Sequence, residues 1–165
     1  EVVSEALKQL TAQIQEQQAQ IRVVAPLPVV MAHRPTLIQI VVNLISNAIK
    51  FVEPNIQPQI DIFAVTERQN DQDWILLSIV DNGIGIAPEH QERIFRVFER
   101  LHGAESYPGT GIGLAIVRKG LERMGGRAGV VSQLGQGCRF WLMLPKSTLT
   151  LNGISYDANP PSSDH

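Results

Sequence analysis

One cysteine, Cys138, is all that the 165 residues hold, so no disulfide can form within the chain and a reducing compartment is expected. Charge of one sign is also missing: 14 Lys and Arg stand against 16 Asp and Glu. A net charge of −2 offers no broad basic field to nucleic acid or to an anionic membrane, although a small local cationic site remains possible. No apolar run approaches the roughly 20 residues that a membrane-spanning helix needs, and no signal peptide is visible. The expectation is a cytoplasmic fragment with no membrane insertion of its own. The first residue is Glu1, not Met, so the expectation is a piece of a longer protein, in which a membrane segment could lie outside this chain. There is no GxxxxGK[ST] phosphate loop and no internal repeat.

What is present suits one domain with a real core, since apolar residues make up 44% of the chain and charged residues 18%. Residues 1–20 read as an amphipathic helix with Val3, Leu7, Leu10 and Ile14 on one face. IRVVA (21–25) reads as a short strand and PLP as a break. Pro35 and Thr36 open a second helix that should run to about Phe51. QIDIFAVTE (59–67) and WILLSIVD (74–81) read as strands around a polar turn; the second is apolar on both faces and so belongs in the middle of a sheet. PEHQERIFRVF reads as a short helix, ERLHGAESYPGT as an exposed loop, and residues 111–124 as a third substantial helix ended by Gly125 and Gly126. RAGVVS and CRFWLML make an antiparallel hairpin across QLGQG. The expected fold is an α/β two-layer sandwich. Its sheet is mixed, largely antiparallel and about five-stranded, with three main helices on one face. The domain should cover 1–146. Residues 147–165 are polar and without period, and read as a mobile tail or linker.

Three stretches carry chemistry. In VVNLISNAIKF (41–51), Gln39, Asn43, Ser46, Asn47 and Lys50 fall within an arc of roughly 100° on an otherwise apolar helix. Such a stripe either faces solvent or lines a polar ligand. Amide oxygens are hard neutral donors of the kind Mg²⁺ accepts, and Lys50 one turn on could meet a phosphate. In DNGIGI, Asp81 ends a buried strand and Gly83 and Gly85 follow. This is either a capped glycine turn or a site where an acid accepts from an exocyclic amine while the backbone approaches a flat ring. In PGTGIGLAIV, Gly109, Gly111 and Gly113 lead into a helix, either as a hinge or as free N–H groups that hold phosphate. The third glycine comes one residue early for the dinucleotide fingerprint, and a loop precedes it where that motif needs a strand, so a Rossmann fold is excluded.

In this order the stretches resemble the histidine-kinase branch of the GHKL ATPases. NLISNAIKF is similar to that family's N box, DNGIGI to its first glycine box, RIFRVFER to its F box, GTGIGLAIV to its second glycine box and GQGCRFWLMLP to its closing hairpin. RLHGAESYPGTGIGL is similar to kinases coupled to PAS or phytochrome-type sensors. The resemblance implies ATP as substrate and Mg²⁺ as cofactor. Asn47 would coordinate Mg²⁺ with Asn43 assisting, and Lys50 would meet phosphate. Asp81 would bind the adenine amine, with Gly83, Ile84 and Gly85 shaping its pocket and Ile86 and Ile45 as walls. Phe95 and Phe98 would anchor the near edge of a mobile lid over residues 99–110, unless they are plain core. Gly109, Thr110, Gly111, Ile112, Gly113 and Leu114 would wrap the phosphates, and Arg100 would reach the γ-phosphate. His102 fits a solvated loop better.

Two departures matter. Cys138 stands where the family often has Thr or Ser, and a thiol is a poor substitute for a hydroxyl that helps hold adenine. Asn43 stands where ATP-hydrolysing relatives resemble one another in carrying a general-base Glu, and a carboxamide cannot take a proton from water. The resemblance thus implies phosphoryl transfer to another nucleophile. None of His33, His90, His102 or His165 sits in the family's phosphoacceptor context, His-Glu/Asp-x-Arg-x-Pro. The expected partners are therefore dimerisation and phosphoacceptor helices upstream of Glu1, giving a homodimer, and a response-regulator receiver domain. An anti-sigma-type serine kinase and a nucleotide-sensing interaction module are the alternatives.

Overall fold

A computed structural model describes residues 1–96 and 113–147. Strands β1 (Gln20–Val23), β2 (Gln59–Gln69), β3 (Gln72–Asp81), β4 (Arg127–Ser132) and β5 (Cys138–Pro145) form one sheet in the order β1-β2-β3-β5-β4. Only the β1–β2 pair is parallel; the other three are antiparallel, so the sheet is mixed and largely antiparallel as expected. The polar turn between β2 and β3 is tighter than the sequence suggested. Both strands run on until only Asn70 and Asp71 join them, at φ of 50° and 61°. Two left-handed residues in a two-residue loop match the twist of an antiparallel pair, and Asn and Asp tolerate that region.

The α-helices among the described residues are α1 (Val2–Gln9), α2 (Thr11–Gln17), α3 (Arg34–Lys50) and α4 (Gly113–Arg123). Alternation along the strands turns Ile60 and Ile62 of β2, Ile79 of β3 and Phe140, Leu142 and Leu144 of β5 into one core. The opposing layer is dominated by α3, whose Ile40, Val41, Leu44, Ile45 and Ile49 are essentially without solvent contact. Each such side chain contributes about 1.5–3 kcal/mol through burial. Pro35 near its start and Lys50 in its last turn suit the helix ends. The helix is thus a rigid beam inside the protein, and whatever its polar stripe carries is held to within the precision of the core.

The structure corrects two further local expectations. Residues 1–20 do not form one helix: the chain kinks at Leu10, where φ is −98° and ψ 8°. Beside the kink, the Thr11 hydroxyl donates to the Lys8 carbonyl at 2.8 Å, a local side-chain bond that bends helices. Residues 88–96 form not an α-helix but two 3₁₀ turns, Pro88–His90 and Arg93–Phe95. The Gln91 side chain between them is drawn away to the carbonyls of Ile86 and Ser132, at 3.3 and 3.0 Å. The third helix begins, among the described residues, at Gly113; Gly111 and Ile112 lie outside them.

Candidate nucleotide site

Asp81 closes β3, the central strand, and is only 8% exposed. Its Oδ1 accepts the backbone N–H of Gly83 at 2.9 Å and that of Cys138 at 3.1 Å. Burial pushes the carboxyl up from 3.8 to about 6, against the lowering effect of those two N–H donors. Among the described residues neither bond goes to Oδ2, so that oxygen remains for an incoming donor. A buried carboxylate with one oxygen tied down and one spare is a rigid acceptor, suited to an amine on a flat ring.

The glycine loop after Asp81 is held from two sides. Ile84 N–H donates to the carbonyl of Phe51, the C-cap of α3, at 2.9 Å, and Gly135 N–H donates to Ile84 O at 2.8 Å. Ile86 N–H donates to Ser132 Oγ at 2.8 Å. Gly85 needs its freedom: φ is +74°, and a Cβ there would collide with the Gln133 carbonyl. A Cβ at Gly83 would strike the Phe51 carbonyl. The loop therefore lies flat between the end of α3 and the β4–β5 hairpin, which brings the end of the asparagine helix beside the strand-end acid.

The polar stripe on α3 is divided among three tasks. Ser46 Oγ donates to Gln13 Oε1 at 3.0 Å, so it ties α3 to α2 and not to a ligand. Asn43 Nδ2 donates to the Gly113 carbonyl at 3.3 Å, and its Oδ1 accepts from Gln39 Nε2 at 3.3 Å. Asn43 thus links α3 to Gly113, the first described residue of α4. The Asn47 carboxamide makes no hydrogen bond among the described residues, and Lys50 is half-buried one turn further on. An uncommitted neutral oxygen at Asn47 fits Mg²⁺, which keeps most of its ligands as water and phosphate oxygen. Among the described residues no three His, Cys, Asp or Glu cluster to hold a metal.

Of the phosphate-side residues, Gly113 and Leu114 head α4 and are half-buried. Phe98, Arg100, His102, Gly109, Thr110, Gly111 and Ile112, and with them the expected lid, lie outside the described residues. Phe95 is a core residue, packed edge-on against Phe140 with ring centres 6.3 Å apart and covered by the Arg118 guanidinium at 4.2 Å. Cys138 is buried, and that burial pushes its thiol up to about 11. Its useful group is its backbone N–H. Sequence reasoning missed Asn82, Gln91 and Ser132. Asn82 takes the Gln59 N–H at 2.8 Å and donates to the Gln57 carbonyl at 3.0 Å, locking the start of β2. Nothing in their immediate sequence marks these residues, because their partners are 5 to 46 positions away.

Helices on one face of a five-stranded mixed sheet, with an acid and a glycine loop at the end of its central strand, define an α/β sandwich of nucleotide-binding type. Residues 32–148 match the model of the histidine kinase-, DNA gyrase B- and HSP90-like ATPases, and the chain belongs to that family. Over 120 residues it is 51% identical to cyanobacterial phytochrome A of Nostoc sp., a match covering 73% of this chain and 15% of that protein. It is 39% identical over 127 residues to the sensor histidine kinase AruS of Pseudomonas aeruginosa, covering 75% and 12%. The chain thus spans less than a fifth of either relative. A solved structure, full-length ShkA in complex with AMPPNP, matches with a TM-score of 0.72 at 31% identity, over 90% of this chain and 30% of that one. No helix among the described residues is long and apolar enough to cross a membrane.

Proposed function

We propose that the chain is the catalytic domain of a sensor histidine kinase in two-component signalling. It would bind Mg-ATP and pass the γ-phosphoryl group to a histidine on a separate dimerisation and phosphoacceptor domain. The observation that carries the reading is the coupling of Asp81, through the glycine loop and the Phe51 carbonyl, to the end of α3 that bears Asn47 and Lys50. Asp81 Oδ2 would accept from the adenine amine, and Gly83, Ile84, Gly85 and Ile86 would line the ring, with Ile45 behind. Asn47 would hold Mg²⁺, which when bound neutralises charge on the β- and γ-phosphates. Lys50 and the N–H groups heading α4 at Gly113 and Leu114 would meet phosphate oxygens.

Asn43 decides between transfer and hydrolysis. Its amide donates to Gly113 and accepts from Gln39, and it has no basic lone pair with which to deprotonate water. The attacking atom would be a histidine ring nitrogen. The nitrogen–phosphorus bond forms as the bond from the γ-phosphorus to the bridging oxygen breaks, and ADP departs with that oxygen. A receiver-domain aspartate would take the group next. The test is incubation with γ-labelled ATP, alone and with a separately supplied phosphoacceptor helix hairpin. We expect little phosphate release alone and an acid-labile, base-stable label on the hairpin. An acid-stable label would point to a serine kinase, and ATP binding without any transfer to a nucleotide-sensing module.

A further inference from the structure

Ser132 ends β4 directly opposite Cys138, the first residue of β5. Its hydroxyl accepts Ile86 N–H at 2.8 Å and donates to the Gly137 carbonyl at 2.7 Å. Its single hydrogen is thereby committed, so at the 3.2 Å contact with Cys138 Sγ the thiol is the donor. The Gly137 carbonyl and the Cys138 N–H belong to one peptide unit. The N–H end of that unit donates to Asp81 Oδ1 at 3.1 Å. The run is continuous: Ile86 N–H to Ser132 hydroxyl, hydroxyl to the 137–138 peptide, and peptide to the Asp81 carboxylate. Bonds in such a chain polarise one another and fix the direction of each donor. The fit at the last link is close, since Gly137 has φ +83° and a Cβ there would collide with the Asp81 carbonyl. Gln91 braces the same node by donating to the carbonyls of both Ile86 and Ser132.

We propose that Ser132 is a positioning residue for base recognition, aiming the Asp81 carboxylate through the Gly137–Cys138 peptide while it pins the glycine loop at Ile86. The inference rests on Asp81 meeting the adenine amine, as proposed above. Its test compares affinities for ATP and for inosine triphosphate, which carries an oxygen in place of that amine, in the unmutated chain, Ser132→Ala and Ser132→Thr. The unmutated chain should prefer ATP. Ser132→Ala should weaken ATP binding roughly five- to tenfold, the scale of one lost hydrogen bond, and weaken inosine triphosphate binding by less than about twofold. Ser132→Thr, which keeps the hydroxyl, should restore the preference. If Ser132→Ala does not fold, Ser132→Cys, close in size and weaker as donor and acceptor, should still lower the preference. An unchanged ratio of the two affinities, whether both hold or both fall together, overturns the role of Ser132. An unmutated chain that binds both nucleotides equally overturns the reading of Asp81 beneath it.

Discussion

The Cys138 main chain, not its thiol, is what meets Asp81: the amide N–H lies 3.1 Å from Oδ1. The thiol at a position where a hydroxyl was the family expectation therefore leaves the primary contact intact. Cys138→Ala should bind ATP within about twofold of the unmutated chain, since it deletes no hydrogen bond to Asp81. Calorimetric titration checks this. A tenfold loss would mean that the side chain itself takes part in holding the base.

Asp81→Asn keeps an oxygen for the Gly83 and Cys138 donors and replaces the spare acceptor with an NH₂ group. ATP affinity should fall by about tenfold or more, in line with losing a hydrogen bond to a charged acceptor, while binding of tripolyphosphate stays the same. Equal ATP affinity in the variant would remove Asp81 from base recognition.

The same carboxylate sets a pH dependence. Its folded value, about 6, lies above the unfolded 3.8, so the folded chain holds a proton that the unfolded chain releases between those limits. The contribution of Asp81 to stability is fully present below the unfolded value and is lost as pH rises through about 6; it is worth roughly 3 kcal/mol. The neighbouring Cys138 thiol, pushed up to about 11, stays protonated throughout. The free protein should thus melt at a lower temperature relative to Asp81→Asn at pH 7.5 than at pH 5, as calorimetry in the two buffers would read. ATP binding should run the opposite way, weakening as pH falls through 6, because a protonated acid accepts poorly.

Gly85→Ala forces a side chain into a left-handed position and onto the Gln133 carbonyl. The cost should exceed the roughly 1 kcal/mol of the backbone conformation alone, and the melting temperature should drop by several degrees. Gly135→Ala is the control. It shares a positive φ of 77°, but its Cβ would meet nothing within 4 Å, so it should pay only the backbone term.

The layers of the fold were legible because α3 and the strands state their burial in their own periods. The apolar run around Ile40, Leu44 and Ile45 and the alternation in Ile60 and Ile62 needed no distant partner to be read. The loop chemistry at DNGIGI was legible for a similar reason, as one short segment carries both the acid and the glycines. The rest was written in long-range contacts. Ser46 looked like part of the ligand stripe until Gln13, 33 positions away, took its hydroxyl. Ser132 and Gln91 gave no local sign, since a lone polar residue in a strand or turn has meaning only through what it faces. The helix break at Leu10 and the 3₁₀ turns after Pro88 go instead with side-chain bonds of Thr11 and Gln91 that compete with the backbone.

The Asn47 amide makes no hydrogen bond among the described residues, and Asn47→Ala should weaken ATP binding with magnesium far more than ADP binding without it. Equal losses under both conditions would point to a folding defect and not to a metal ligand.

The central claim is that this chain holds Mg-ATP in the site bounded by Asp81, the glycine loop and Asn47. Its most direct test is the melting temperature of the purified protein titrated with ATP in the presence of magnesium. A rise that grows with the logarithm of ATP concentration, near 3 kcal/mol of added stability at about a hundredfold excess over the dissociation constant, is the predicted result. No shift at millimolar Mg-ATP would contradict the account.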